Sequence, residues 1–271
     1  MACYADHLSS LNLTDALLGV TSLIGGAMNS VAGGGTLLTF PALLAVVTPV
    51  VANGTSTFAL VPAGVGSAWA YRKELRTVSS MLKLLWLPSF LGGLTGSLAV
   101  TRYPNQFESM IPWLLLIASL LLLLQKRIAG WVGAHPHIDP ETGRSATPTT
   151  RTIAGVTIFQ YFVGVYGGYF GAGIGILMLS SLELMGIHDI HELNALKVTL
   201  AFFMNSITLL VFIVEGVINW RFGILMAVCS VVGGYAGARL ARRAPKALIR
   251  GIVVAVGFGL SAYSFYRRFA S

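Results

Sequence analysis

Charge is what this sequence has least of. Only 10% of its 271 residues are Asp, Glu, Lys or Arg, whereas 55% are hydrophobic. A soluble domain carries about 25% charged residues, so a water-soluble globular class is excluded. Apolar runs such as MIPWLLLIASLLLLL (110–124) and IVVAVGFGLSAYSFY (252–266) recur along the chain. About 20 mostly apolar residues cross a bilayer as a helix, so the expected fold class is an all-α polytopic membrane protein. Cysteine is nearly absent too: Cys3 and Cys229 have no motif spacing, which argues against a disulfide framework. No Lys or Arg precedes the first apolar run, so no cleavable signal peptide is expected. HExxH, a GxSxG elbow, a Walker A lysine loop and an Arg-rich voltage-sensor helix are all missing. Neither an enzyme nor a cofactor is expected, and ATP energy would have to come from another chain.

The balance of the few charges is informative. Lys and Arg number 18 against 10 Asp and Glu, a formal net charge of +8. The basic residues fall in short loops between apolar runs, where they control membrane topology rather than bind nucleic acid. Acids are scarce inside the runs, which suits an anion better than a metal cation as cargo. HDIHE (188–192) has two histidines and two acids. The matching first-half segment, VTPVVAN, holds no His or Cys, so a solvated loop is expected there and no metal site.

Glycine is abundant, with 31 residues. Three of them, Gly33, Gly34 and Gly35, interrupt the apolar stretch NSVAGGGTLLTF (29–40), although each glycine weakens a helix interior by roughly 1 kcal/mol relative to alanine. A second break, FGAGIGILM, lies 140 residues later and pairs Gly33 with Gly173 and Gly35 with Gly175. After one inserted residue the offset is 141, and it pairs Asn53 with Asn194, Glu74 with Glu215, and LGGLTGS with VGGYAGA. A fold duplicated in this way is common among secondary transporters. The expected organisation is a first transmembrane repeat over 1–126, a cytoplasmic linker over 127–151 rich in Pro, Thr and Gly, and a second repeat over 152–271. Each repeat has about four to five transmembrane segments and opens on a Gly-broken half helix. The small-residue pairs Gly92/Gly96 and Gly233/Gly237 read as helix-packing positions.

Charge placement selects the hand of the duplication. If each Gly-broken stretch crosses once, the repeats are parallel and Lys and Arg divide 11 against seven. If each stretch enters and returns, the repeats are inverted. Fourteen Lys and Arg then share one face, leaving only Arg102, Arg221, Arg267 and Arg268 on the other. Cytoplasmic loops collect Lys and Arg, so re-entrant hairpins, inverted repeats and both termini outside the cytoplasm are expected.

A half helix that starts after such a break points free N–H groups and a positive dipole end into the membrane, a ready anion site. The candidate donors are Gly34, Gly35 and Thr36 in the first half and Ile174, Gly175 and Ile176 in the second, with Gly33 and Gly173 shaping the breaks. Beside them stand ANGTST, with Asn53, Thr55 and Ser56, and LNALKVT, with Asn194 and Lys197. Lys197 either faces the interior or snorkels to the interface. Asn29, Asn205 and Gln160 are polar groups in apolar runs, where an interhelical hydrogen bond is the alternative to a ligand contact; Asn29 and Asn205 stay in the candidate set. Glu183 in SSLELMG is a proton-coupling candidate, with an interfacial acid as its other reading.

AGGGTLLTFPALL followed by VANGTSTFALVPAGVGSAWAYRKEL resembles the first half of the TauE/SafE sulfite-exporter family, the toluene-sulfonate uptake permeases. GGYFGAGIGILMLSSLELMG, NALKVTLAFFMNSITLLVF, GVINW and GGYAGARLARR resemble its second half. The resemblance spans nearly the whole chain. It implies a secondary transporter of small sulfur-containing anions such as sulfite, sulfoacetate and related organosulfonates. It further implies alternating access, coupling to H⁺ or Na⁺, and a bacterial inner-membrane location with lipid as the surrounding partner; a homodimer is compatible. A passive anion channel, or a permease for another small anion, is the alternative.

Overall fold

The breaks decide the architecture. The computed structural model describes residues 2–31, 34–133, 149–185, 187, 189–240 and 246–269. Gly33, His188 and the middle of the expected linker lie outside the described residues. The described elements are helices: α1 (Ala2–Val31), α2 (Thr36–Leu44), α3 (Pro49–Ala70), α4 (Glu74–Thr77), α5 (Ser79–Arg102), α6 (Pro104–Gly133), α7 (Thr150–Tyr169), α8 (Ile174–Glu183), α9 (Ile190–Val214), α10 (Trp220–Leu240) and α11 (Lys246–Phe269). Among the described residues, Ser79–Arg102, Pro104–Leu124 and Ile190–Val214 are individually long and apolar enough to cross a membrane. α6 continues to Gly133, so the first seven residues of the linker expected from 127 are helical.

α2 and α8 have only nine and ten residues, a rise of about 14–15 Å, too short to cross a hydrocarbon core of about 30 Å. α2 doubles back along α1. A Cβ built on Gly25 would lie 3.0 Å from the Thr39 methyl carbon and 3.2 Å from the Gly35 carbonyl, and one on Gly35 would lie 3.4 Å from Asn29 Cβ. These contacts place the start of α2 against the 25–29 segment of α1. In the second half, Ile153 and Val156 near the start of α7 share one apolar cluster with Leu182 and Met185 at the end of α8. The turn between α7 and α8 needs glycine: Gly171 and Gly173 have φ of +77° and +79°, where a Cβ is strained.

Packing partners exchange between the halves. α1 lies on α10 as α7 lies on α5, and α3 lies on α10 as α9 lies on α5; α3 with α9 and α6 with α11 close the set. Without a hydrophobic drive between helices in lipid, such contacts depend on close backbone approach. At the α5–α7 contact, Gly92 and Gly96 meet the carbonyls of Tyr161 and Val165, and Gly168 meets that of Gly93. At α1–α10, Gly26 meets the Ser230 carbonyl and Gly233 that of Leu23. The expected packing positions Gly92, Gly96 and Gly233 therefore act as such. Gln160, fully buried between α7 and α5, donates from Nε2 to Ser89 Oγ at 2.9 Å, which is the interhelical bond expected of it.

Candidate functional site

The two hairpins bring their turns together, and a cavity of about 100 Å³ opens where they meet α3 and α9. α3 lines it with Thr57, Leu60, Val61 and Gly64, and α9 with Lys197, Val198, Ala201, Phe202 and Asn205. These spacings trace one face of each helix. Shifted by 141, Thr57, Leu60, Val61 and Gly64 become Val198, Ala201, Phe202 and Asn205, so α3 and α9 present the same face to the same space. The turns contribute Gly34 and Thr36 from the first half and Gly167, Phe170, Gly171, Ile174 and Gly175 from the second, with Asn29 from α1.

The electrostatics are one-sided. Lys197 lines the cavity, and no Asp or Glu does. Its Nζ donates one hydrogen bond, 2.9 Å, to Asn194 Oδ1, which leaves two ammonium protons for other acceptors. An ammonium in a low-dielectric interior without a counter-charge is costly, so an anion in this cavity removes that cost. α8 starts in the cavity wall. Its first backbone bond is Ile176 N–H to the Gly173 carbonyl at 3.1 Å, so among the described residues the N–H groups of Ile174 and Gly175 have no backbone acceptor. Asn205 likewise has no side-chain partner among the described residues, and its amide supplies donors. Thr57 Oγ1 donates to the Asn53 carbonyl at 2.9 Å. Phe170 is held edge-on against Phe40 of α2, centroids 5.1 Å apart, so the two hairpins share a rigid aromatic floor.

Of the residues predicted for this site, Asn29, Gly34, Thr36, Ile174, Gly175, Lys197 and Asn205 line the cavity. Gly33 lies outside the described residues. The remainder are placed elsewhere, each for a packing reason. Gly35 abuts Gly25, and Gly173 is the αL cap of α8 facing Ala118 and Leu121. Asn53 is buried and donates 2.9 Å to the Tyr169 carbonyl, meeting an acceptor that the end of α7 leaves open. Thr55 Oγ1 accepts from Asn219 N–H at 3.0 Å, and Ser56 bonds Thr39 Oγ1 at 2.6 Å. Asn194 donates to the Ile190 carbonyl at 2.8 Å and reaches the cavity only through Lys197. Glu183 ends α8, away from the lining, and its Oε2 is buried without a partner among the described residues. Asp189 accepts from His191 N–H at 2.7 Å as the cap of α9.

Sequence reasoning passed over Thr57, Leu60, Val61, Gly64, Val198, Ala201 and Phe202 as lining residues. The signal was available: the helical face through Lys197 and Asn205, carried back by 141, finds the α3 face at once.

The family model described as "Sulfite exporter TauE/SafE" matches residues 18–264. The chain is similar to a "Probable membrane transporter protein" of Haemophilus influenzae, 28% identical over 257 residues that cover 93% of this chain and 94% of the relative. It is 30% identical over 258 residues to the "Probable membrane transporter protein YfcA" of Escherichia coli, covering 92% and 90% of the two chains. The "Probable membrane transporter protein YunE" of Bacillus subtilis is 26% identical over 242 residues, 84% of this chain and 88% of the relative.

Proposed function

This chain belongs to the TauE/SafE sulfite exporter family and is a multi-pass membrane protein, and we propose that it is a secondary transporter of small sulfur-containing anions: sulfite, sulfoacetate or a related organosulfonate. The observation that carries the reading is the Lys197 ammonium in a cavity with no carboxylate, beside the N-terminus of α8. A sulfur oxyanion offers several acceptor oxygens around one centre. The two remaining Lys197 protons, the N–H groups of Ile174 and Gly175, and the Asn205 amide are donors of matching number. Apolar Leu60, Val61, Phe170 and Phe202 close the rest of the wall and exclude bulk water, which strengthens each charge-assisted bond.

Movement follows from the duplication. In this reading the repeats, 1–126 and 152–271 joined by a cytoplasmic linker over 127–151, are inverted, with both termini outside. Each hairpin enters and returns, so each half crosses an odd number of times through its three long helices. The 14-to-four distribution of Lys and Arg supports the same orientation. Rocking of one half on the other about the shared cavity then exposes the anion to each side in turn, with H⁺ or Na⁺ as the coupling ion and Glu183 as the proton-coupling candidate.

Counterflow in proteoliposomes tests this. Vesicles preloaded with unlabelled sulfite should accelerate uptake of labelled sulfite, and the exchange should saturate. Non-saturating, preload-independent flux would replace the carrier with a channel. A cysteine placed in the linker should be labelled only from the cytoplasm; labelling from outside would overturn the inverted arrangement.

A further inference from the structure

The connection from α3 to α5 concentrates four cations in a short stretch of chain. Residues 71–77 read YRKELRT, and Arg72, Lys73 and Arg76 are exposed, as is Lys83 on α5. Shifted by 141, the corresponding connection of the second half, 212–218, reads FIVEGVI and contains no Lys or Arg. The same helix-to-helix link is thus built without any cation. Among the described residues, Arg72, Lys73, Arg76 and Lys83 form no ion pair, and the ion pair there is Arg221–Asp15, on a different part of the molecule. Glu74 lies within the connection, and Asp189 and Glu192 begin α9, which packs on α4. None of these carboxylates pairs with the four cations, and Asp189 is occupied as a helix cap.

Two tryptophans flank the cluster. Trp69 at the end of α3 is 70% exposed and Trp86 on α5 is 40% exposed. The Arg72 guanidinium stands 5.2 Å from the Trp69 ring centroid and donates to the Trp69 carbonyl at 3.1 Å, which fixes it at the helix end. Tryptophan partitions to the membrane–water interface, so its presence sets the depth of the cluster at the headgroup layer. Four unpaired cations at that depth match negative phosphate, and juxtamembrane basic residues are drawn to anionic lipid.

We propose that the α3–α5 connection is a binding site for anionic phospholipid headgroups, with Arg72, Lys73, Arg76 and Lys83 neutralising the phosphate and Trp69 and Trp86 anchored at the hydrocarbon boundary. The site is separate from the anion cavity and does not depend on its assignment.

Native mass spectrometry and thermal unfolding of the purified full chain in detergent, with added phosphatidylglycerol or phosphatidylcholine, test the proposal. The wild type should retain phosphatidylglycerol about tenfold over phosphatidylcholine and gain about 3 °C in Tm from it. The R72Q/K73Q/R76Q variant should lose both effects and keep the wild-type Tm measured without added lipid. Equal retention of the two lipids by the wild type overturns the proposal, and so does an undiminished response in the variant. An equal Tm gain from inorganic phosphate alone also overturns it, because the site would then be a free-anion site. Should the triple variant not fold, K83Q and the wild-type lipid preference carry the same decision.

Discussion

From α3, the cavity is lined by Thr57, Leu60, Val61 and Gly64; from α9, by Val198, Ala201, Phe202 and Asn205, the residues 141 positions later. One position before each set stands Ser56 in the first half and Lys197 in the second. Ser56 is buried and bonded to Thr39 of α2, whereas Lys197 opens into the cavity. Asn53 ties α3 to the end of α7, while its counterpart Asn194 steadies Lys197. The two halves thus share the helix face and the glycine contacts but differ in where their polar groups go. The first half spends its polar groups on holding hairpins in place. The second turns Lys197 and Asn205 toward the cavity.

The comparison can be broken most forcefully at its symmetric part. Gly92→Leu and Gly233→Leu each drive a side chain into a facing backbone carbonyl. Each should cost about 3 kcal/mol or more and remove the monodisperse peak in size-exclusion chromatography. Survival of either variant would show that the two contacts are not equivalent.

The divided chemistry is tested next. Lys197→Gln removes charge-assisted bonds worth about 1.5–3 kcal/mol, so anion affinity measured by titration calorimetry should fall about 10- to 100-fold while Tm changes little. Ser56→Ala should leave affinity unchanged and lower stability by about 1 kcal/mol. Asn53→Ala strands the Tyr169 carbonyl and should destabilise by about 1–3 kcal/mol, read from thermal melts. Asn194→Ala should instead weaken anion affinity a few-fold with a smaller loss of stability. An interchange of those two phenotypes would refute the proposed split between the halves. The smallest effect belongs to Arg221→Ala: its partner Asp15 lies 2.6 Å away, but the arginine is exposed and surface pairs contribute about 0–1 kcal/mol.

The membrane class, the two breaks and the glycine contacts were legible in the sequence because each leaves a composition or spacing signal. The second and third glycines of AGGGTLL, Gly34 and Gly35, and the glycines of FGAGIGILM stand where α1 gives way to α2 and α7 to α8. Lys197 and Asn205 were legible as polar residues in apolar runs. Asn53, Thr55 and Ser56 carried the same signal yet face other helices, since a helix wheel gives the angle of a residue but not which neighbour stands there. The α3 face was passed over for the opposite reason. Leu60, Val61 and Gly64 are apolar and look like any other core residues until the repeat is used to transfer the Lys197 face onto them.

The most direct test is equilibrium binding of sulfite, sulfoacetate and sulfate to the purified wild type and to Lys197→Gln, measured side by side with their melting curves. A saturable preference for the sulfite or sulfonate ligand in the wild type, lost in a Lys197→Gln protein that melts normally, is the expected result. Unchanged sulfite or sulfonate affinity in a folded Lys197→Gln protein would contradict the assignment of this cavity.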